Sequence, residues 1–465
     1  MTAPILVWFR QDLRLTDHPA LWEASQIGAP LIPVFIYSNE EGKPWNIGSA
    51  AQSWLHHSLV SLQNDLQKKG LKLILRKGES LDCLKKILQE SGAQSIYWNR
   101  LYEPSNIERD SHIKDYFKKQ SIEVKSFKAN LIFEPWEIQN QKGKAFQVFT
   151  AFWNHCARLF ETIPPCYPLP TNWTAPTQWP VTLKIDQLEL LPKTPWDQNF
   201  YKNSKPGENN ALDALKKFSH QAIDYTERRN LPAQKGTSRL SSHLHFGEMS
   251  PRQIFFEIKK LKSAGAKTFL KEIFWREFAH HLLFHFPQTP ETPLRAEFKN
   301  FPWKKNNRAL RAWQKGQTGY PIVDAGMREL WSTGWMHNRV RMIVASFLVK
   351  DLLIPWQEGA KWFWDTLVDA DLANNTLGWQ WSAGCGADAA PYFRIFNPVL
   401  QGEKFDPQGE YVRKWIPELE KIPDKLIHKP WESTIKTNYP APLVDHSLAR
   451  QAALQALASL KKLSY

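Results

Sequence analysis

The first part of the chain alternates between short apolar runs and longer stretches in which apolar and polar residues are mixed. The apolar runs have the length and composition of β-strands. They read PILVWF, PLIPVFIY, LKLILRK, SIYWNR and EVKSFK. Between them, stretches such as 50–69 and 81–91 have the spacing of helices. Because strands that alternate with helices are typical of a parallel sheet, we predict a Rossmann-like α/β domain over residues 1–130.

The segment after the first predicted strand indicates whether the α/β domain is of the dinucleotide-binding type. It reads RQDLRLTDHP and contains no GxGxxG pattern. In dinucleotide-binding folds those glycines let the backbone approach a pyrophosphate and start the next helix. Their absence argues against a nicotinamide-dependent dehydrogenase.

Prolines interrupt the middle of the chain, and the regular spacing disappears there. Nine prolines lie between positions 163 and 206. Since a loop of this length is uncommon inside one compact domain, we predict a Pro-rich connector over 131–205. The remainder, 206–465, is predicted to be an all-helical domain. Residues 268–286 have helical spacing, and Ser250 followed by Pro251 is typical of a helix start.

The composition adds a hint about partners. The chain has 465 residues, of which 60 are Lys or Arg and 46 are Asp or Glu, so its formal charge is 60 − 46 = +14. A basic chain of this size favours a polyanion such as nucleic acid or an anionic membrane, although many basic proteins bind neither. The 22 tryptophans are core fillers in the simplest interpretation. They are also stacking surfaces for bases and oxidisable groups.

Cysteine usage and apolar runs indicate the compartment. The four cysteines are widely separated and form no CxxC pair, so they indicate neither a disulfide framework nor a zinc site. No run has the form of a signal peptide or the length of a membrane span. We therefore expect a soluble, cytoplasmic protein with no membrane partner and no metal site.

The segment DADLANNTLGWQWSAG, residues 369–384, concentrates polar chemistry in a few turns. On a helix, Asp371, Asn375 and Trp379 share one face, because they are spaced at i, i+4 and i+8. Asp369 and Asp371 would point apart, which argues against a carboxylate pair that shares a proton. A metal would need a third acidic ligand, and none is near in sequence. The acids then bind a polar ring or an arginine, or else they are simple helix caps beside buried indoles.

Three other segments contain candidate site residues, and each also has an ordinary structural interpretation. In GTSRLSSHLHFGEMSPRQ, Thr237, Ser238 and Ser241 suit a phosphate at a helix start or ordinary capping. In EIFWREF, Glu272, Trp275 and Arg276 suit a pocket wall or a Glu–Arg surface pair worth about 0.2–0.5 kcal/mol. The segment GWMHNRVRM suits a nucleobase pocket beside a phosphate path or an ordinary amphipathic helix.

Taken together, these segments carry a family resemblance that extends over nearly the whole chain. They occur in the order WFRQDLRLTDHPAL, GTSRLSSHLHFGEMSPRQ, WREF, TGYPIVDAGMREL, GWMHNRVRM, DADLANN and GWQWSAGCGADAAPYFRIFNP. The chain resembles the photolyase/cryptochrome flavoproteins, and among them the lyases that repair cyclobutane pyrimidine dimers. The resemblance implies an N-terminal antenna domain, a connector, and a helical domain that holds U-shaped FAD. It implies that light-excited reduced FAD passes an electron to the pyrimidine dimer in damaged DNA. The cyclobutane ring then splits, and the electron returns to the flavin.

The resemblance also implies site residues, position by position. The FAD contacts would be Tyr225, Thr237, Ser238, Arg239, Leu240, Ser241, Arg341, Asp369, Asp371 and Asn375. Among these, Arg341 would pair with Asp369, and Asn375 would face flavin N5. An electron relay would run through Trp379, Trp356 and Trp303. The dimer pocket would comprise Glu272, Trp275, Asn338, Met342 and Trp381. DNA phosphates would be bound by Arg229, Arg339 and Arg394.

Comparison with the family patterns at a few positions bears on the antenna chromophore, the lesion and the choice between a repair enzyme and a receptor. The segment 100–110 lacks the folate-contact pattern, so the antenna chromophore could be a reduced folate, a deazaflavin or absent. Relatives that repair (6-4) photoproducts have histidine where this chain has Asn338, and they lack Met342, which favours cyclobutane dimers. The alternative is a blue-light-sensing cryptochrome without repair activity. Plant-type receptors tend to have Asp at the position of Asn375 and a long tail, whereas this chain ends at Tyr465. We expect a monomer.

Overall fold

A computed structural model describes residues 2–202, 204–389 and 393–463. Its N-terminal part is a five-stranded, fully parallel sheet in the order β3-β2-β1-β4-β5. The strands are β1 (Ile5–Phe9), β2 (Leu31–Tyr37), β3 (Ile74–Lys77), β4 (Ser95–Asn99) and β5 (Glu123–Phe127). The predicted α/β domain is therefore confirmed. The predicted third strand is shorter than its apolar run, because pairing with β2 begins at Ile74.

The helices of this part cover both faces of the sheet. They are α1 (Pro19–Gln26), α2 (Ser49–Gln67), α3 (Ser80–Ser91) and α4 (Pro104–Lys119). Consecutive residues of β1 enter different cores, since Ile5 and Val7 face one helical layer and Leu6 and Trp8 the other. This is why the first strands read as continuous apolar runs rather than as alternating ones.

The middle of the chain is more structured than its prolines suggest. It contains a helix, α5 (Phe149–Arg158), which packs in the core of the helical part. Beyond it the chain is mostly irregular, with short 3₁₀ turns such as Ile185–Leu188, and its apolar side chains pack against the sheet domain instead. Helix α5 lies within the predicted connector of 131–205 but before the stretch 163–206 in which regular spacing disappears, and the sequence did not single it out. The connector contacts both domains.

The rest of the described chain is helical. Its helices are α6 (Glu208–Ser219), α7 (Tyr225–Arg228), α8 (Ser241–His245), α9 (Pro251–Lys259), α10 (Ala264–His285), α11 (Asn307–Gln314), α12 (Pro321–Thr333), α13 (Asn338–Ser346), α14 (Trp356–Thr366), α15 (Leu372–Ala383), α16 (Pro398–Phe405), α17 (Glu410–Trp415) and α18 (His446–Leu463). Ser250 caps α9 by accepting a hydrogen bond from Gln253 N, and Pro251 is its first residue, as predicted. Among the described residues, no helix is long and apolar enough to cross a membrane.

Candidate functional site

Helix α15 arranges the polar row that the sequence predicts. Asp371 caps the helix by accepting a hydrogen bond from Asn374 N at 2.8 Å, so Asn375 and Trp379 follow one and two turns later on the same face. The Asn375 amide donates to Ala360 O at 3.1 Å. The Trp379 indole is buried against Gly359, where an added Cβ would lie 2.0 Å from the ring. Any larger residue at 359 would therefore displace Trp379.

Arg341 and Asp369 form the ion pair that the resemblance implied. The guanidinium Nη2 donates to both carboxylate oxygens, at 3.0 and 2.8 Å, and its Nε donates to Met336 O at 2.8 Å. The Asp369 side chain is 2% exposed, whereas that of Arg341 is 24% exposed. A buried carboxylate thus faces a cation that also reaches the surface of the site, an arrangement that suits a polar ring bound between α13 and α15.

The hydroxyl-rich segment lies where α8 begins. Ser241 is the first residue of that five-residue helix, and Ser238 Oγ accepts a hydrogen bond from Leu240 N at 3.3 Å. Arg239 has left-handed backbone geometry, with φ of 53°. Its guanidinium lies 3.9 Å from the ring centroid of Trp335, and burial lowers its pKa below the ordinary value for arginine. Both phosphate binding and capping remain compatible with this geometry.

The face predicted for the DNA lesion differs from expectation in one ion pair. Glu272 pairs with Arg229, with Nη1 and Oε1 2.6 Å apart, and not with Arg276, its neighbour at i+4. The Arg276 guanidinium turns inward and donates to Asn130 O at 2.8 Å. The alternative of a Glu272–Arg276 surface pair is therefore wrong, because Glu272 pairs with Arg229 and the interior offers Arg276 a buried carbonyl. The pocket wall stays a prediction.

The aromatic part of that face is rigid. Trp275 stacks flat on Phe149, with ring centroids 3.7 Å apart and planes 8° from parallel. The other three residues of the predicted pocket are at least partly exposed: Asn338, Met342 and Trp381. Asn338 opens α13 and Met342 follows one turn later, so the pair lies on one helical face as predicted.

Three arginines predicted to bind phosphate lie close to one another. Burial lowers the pKa of Arg339, and the positive charges of Arg229 and Arg394 lower it further. Arg339 also donates to Asn230 Oδ1 at 2.8 Å. The backbone carbonyl of Arg394 accepts from Lys350 Nζ at 3.4 Å, and burial lowers the pKa of Lys350 to about 7. A polyanion would relieve the repulsion in this cluster.

The three tryptophans of the predicted relay are graded in exposure. Trp379 and Trp356 are buried, whereas Trp303 is partly exposed and packs on Phe301 with centroids 4.3 Å apart. Sequence reasoning overlooked Trp313, which is fully buried and lies 6.2 Å from the Trp379 centroid. Of the three, only Trp303 is partly exposed, and Trp379 also lies near Trp313, which is outside the predicted relay.

A cleft lies between the two domains and adjoins the site. Its volume is about 280 Å³, and its walls include Arg10, Trp45 and Arg109 from the sheet domain and Trp364 from α14. A smaller chamber of about 10 Å³ adjoins the cleft, and the two share four wall residues, which are Gln11, Leu101, Glu103 and His245. Asp371, the first residue of the polar row of α15, also lines the chamber.

The chamber contains titratable side chains that the sequence did not single out. Glu103, His280 and Asp371 are all buried, and one ligand-type atom of each lies within 4.8 Å of the others. Glu103 is the third acid that was missing near Asp371 in sequence. It was overlooked because it belongs to the sheet domain, and the "AHH" pattern on α10 gave the one available hint of His280.

A fold with an α/β sheet domain, a helical domain and this polar row defines a flavoprotein of the photolyase/cryptochrome class. Comparison with family models agrees. Residues 5–171 match the model described as DNA photolyase. Residues 269–459 match the model described as FAD binding domain of DNA photolyase.

Known proteins match over the full length. The chain is 46% identical to the deoxyribodipyrimidine photo-lyase of Agrobacterium fabrum, over 99% of both chains. It is 38% identical to cryptochrome-2 of Arabidopsis thaliana, over 99% of this chain and 80% of that protein. A crystal structure of a bacterial class III photolyase from Agrobacterium tumefaciens superposes with a TM-score of 0.95 at 45% identity, over 99% and 98% of the two chains. The chain therefore belongs to the DNA photolyase family.

Membership confirms the resemblance, the fold class, the FAD cofactor and the assignment to photolyase enzymes. The residues in place fit FAD. The buried ion pair of Arg341 and Asp369 and the amide of Asn375 suit the polar edge of a flavin. His337 Nε2 is buried without a hydrogen-bond partner within the described chain, as expected where a bound group supplies one. The roles of individual residues stay predictions.

Proposed function

We propose that the chain repairs cyclobutane pyrimidine dimers in DNA with light. The observation that carries the proposal is the juxtaposition on neighbouring helices of a flavin-type polar site and a cationic, aromatic face. Arg341 and Asp369 belong to the first, and Arg229, Glu272 and Trp275 belong to the second. When bound, reduced and excited by light, FAD would supply the electron that splits the dimer.

The protein residues would bind and orient the two reactants. Asp369 and Arg341 would hold the flavin ring, while Thr237, Ser238 and Ser241 would donate hydroxyl hydrogen bonds to the diphosphate. The flat face of Trp275, fixed by Phe149, would stack on a dimer extruded from the duplex. Enzymes that act on bases inside DNA, photolyases among them, commonly extrude the target base from the duplex.

The ion pair of Arg229 and Glu272 would couple DNA binding to the lesion pocket. When a phosphate binds Arg229, the phosphate competes with Glu272 for the guanidinium. The freed carboxyl group can then hydrogen-bond the dimer, through a ring N–H if ionised or a carbonyl if protonated. Both side chains are partly exposed, at 21% and 27%, so the rearrangement needs no change in the core.

The interdomain cleft would hold the second, light-harvesting chromophore. Its volume of about 280 Å³ is near the lower limit for drug-sized ligands. Trp45 and Trp364 meet edge to face there, with centroids 5.5 Å apart, and Arg109 adds a cation. A reduced folate and a deazaflavin are the two candidates. The fluorescence spectrum of the chromophore released by denaturation distinguishes them.

A signalling cryptochrome is the second candidate, because cryptochrome-2 is 38% identical to the chain over nearly all of its length. The decisive experiment irradiates the purified, reduced flavoprotein with an oligonucleotide that carries one cyclobutane dimer. A second oligonucleotide carries a (6-4) photoproduct, and dark samples are the control. We expect repair of the first lesion in the light and none of the second. Normal flavin binding without repair of either would support the receptor instead.

A further inference from the structure

The chamber beside Asp371 has polar side chains that the protein itself leaves unsatisfied. His245 Nδ1 and Asn130 Oδ1 are buried and accept or donate no hydrogen bond within the described chain, and both residues line the chamber. His245 Nδ1 lies 4.0 Å from Asp371 Oδ2, too far for a direct bond. The chamber volume of about 10 Å³ is close to that needed for one water molecule with several polar partners.

His280 lines this chamber, and its two ring nitrogens face different oxygen atoms. Its Nδ1 lies 3.1 Å from Arg276 O, so we assign the proton on that nitrogen to this bond. Its Nε2 lies 3.4 Å from Asp371 Oδ2. Burial and the charge of Arg276 act to lower the pKa of His280, but the charge and hydrogen bonding of Asp371 together with the charge of Glu103 raise the pKa above the ordinary 6.5.

Charge balance argues for a proton here and against a metal ion. The charged groups that face His280 are Asp371 from the start of α15, Glu103 from the start of α4, and Arg276 and Glu277 on its own helix. Glu277 lies 3.6 Å from Arg276, and burial raises the pKa of Glu277 to about 7. With Glu277 protonated, Asp371 and Glu103 are balanced by Arg276 and a protonated His280. A divalent cation would add charge beside the Arg276 guanidinium in a site of low dielectric.

The chamber adjoins the interdomain cleft at Glu103. Glu103 lines both the chamber and the open cleft, whereas His280 and Asp371 line the chamber. One Glu103 oxygen accepts from Asn106 Nδ2 at 2.9 Å, which holds the carboxyl group at this boundary. At the far end, Asp371 caps the helix that carries Asn375, and both are predicted flavin contacts.

We propose that Glu103, a chamber water, His280 and Asp371 form a proton path from the interdomain cleft to the flavin site. The inference rests on the proposed function. Reduction of oxidised FAD to its reduced anion takes up two electrons and one proton. An external one-electron donor such as a thiol supplies the electrons, and the solvent in the cleft supplies the proton. Electrons and the proton would then enter through different parts of the protein.

The test follows electron arrival and flavin protonation separately after a light pulse. The absorption of oxidised flavin reports the electron, and the shift of the radical spectrum to longer wavelength reports the proton. Glu103→Gln and His280→Gln should slow protonation by about a hundredfold, the lower end of what a positioned acid–base group contributes, with unchanged electron arrival. Glu108→Gln and His112→Gln, exposed residues on α4, are matched controls and should behave like the wild type.

Equal protonation rates in all variants would overturn the path, as would a stoichiometric divalent metal in the purified holoenzyme. If His280→Gln loses FAD, Glu103→Gln decides alone, since Gln keeps the shape of Glu. An NMR titration of His280 in the dark is independent of photochemistry. We expect Glu103→Gln to lower the pKa of His280, and an unchanged titration would contradict the proposal. A wild type that binds no FAD would instead refute the proposed function.

Discussion

Two buried aspartates lie at the junction of the domains, and they are satisfied very differently. Asp17, in the sheet domain, accepts hydrogen bonds on both oxygens. Its donors include Arg252 Nη2 at 2.5 Å, Ser250 Oγ at 2.5 Å and the backbone N of Tyr167 at 2.9 Å. Asp371, in the helical domain, uses one oxygen as a helix cap, and its other oxygen faces histidines at 3.4 and 4.0 Å across the chamber.

This difference in hydrogen bonding indicates that Asp17 makes a structural contact, whereas Asp371 belongs to a functional site. A buried charge with all partners in place costs much to disturb, and it leaves no room for a ligand or a proton. A buried charge with incomplete partners is tolerated where water or a bound group completes it. We therefore expect variants at the Asp17 contact to change stability, and variants around α15 and the cationic face to change chemistry.

The largest expected effect is on stability. Asp17→Ala leaves Arg252, itself 3% exposed, as an unpaired buried charge, so we expect the free energy of unfolding to fall by about 3–5 kcal/mol. Urea unfolding followed by fluorescence measures it. Asp82→Ala, which removes an exposed carboxylate, is the control and should stay within about 0.5 kcal/mol of the wild type. If Asp82→Ala lowered the free energy of unfolding as much as Asp17→Ala, the contact between Asp17 and Arg252 would have no special structural role.

Trp379→Phe should change photochemistry while the fold persists. Phenylalanine keeps most of the buried volume beside Gly359, so the stability cost should be modest, but the oxidisable indole is lost. We expect the variant to bind FAD and to fail to photoreduce it with external thiol.

Chemical reduction separates the roles of Trp379. With flavin reduced by dithionite beforehand, Trp379→Phe should repair dimers normally. Normal photoreduction would mean that electrons take another route, for example through Trp313. Lost repair after chemical reduction would mean that Trp379 shapes the flavin site.

Glu272→Ala should lower the yield of dimer splitting per absorbed photon more than it lowers DNA affinity. The carboxyl group is partly exposed and paired with Arg229, so its loss removes a lesion contact and leaves the arginine free for phosphate. The measurement pairs a quantum yield with a binding titration on the same dimer-containing DNA. A yield equal to that of the wild type would exclude Glu272 from the reaction.

The stability of the folded protein should depend on pH through His280, which lines the chamber. Because the pKa of His280 is raised in the folded protein, its contribution is complete below the ordinary value of 6.5 and is lost as pH rises through the folded-state pKa. Unfolding midpoints of wild type should therefore fall relative to His280→Gln above pH 6.5. If the unfolding midpoints of the two proteins changed with pH in parallel, His280 would gain no stabilising partner on folding.

Arg339→Ala should have the smallest effect, and one that is independent of the lesion. Removing one phosphate contact should flatten the slope of log K against log salt by about 0.9, on damaged and undamaged DNA alike. Fluorescence anisotropy at several salt concentrations measures both slopes. An unchanged affinity at low salt would remove Arg339 from the interface.

The sequence by itself determined the elements and the family. Local patterns were enough for the parallel sheet, for the start of α9, and for the row Asp371, Asn375 and Trp379, since helical spacing and capping depend on near neighbours. The motifs were long enough to identify a flavoprotein and to anticipate the pairing of Arg341 with Asp369. Helix α5 was not singled out from the sequence; its apolar face packs in the core of the helical part, and such tertiary packing supplies most of the stability of a short helix.

Only the tertiary structure decided which charges meet. Glu272 pairs with Arg229 and not with Arg276, because the interior presents Arg276 with the carbonyl of Asn130. Glu103 reaches Asp371 and His280 across the domain junction, although it is far from both in sequence. Spacing along a helix fixes which residues share a face. Which partner a charge finds depends on burial and on chain segments distant in sequence, and those follow from how the two domains pack.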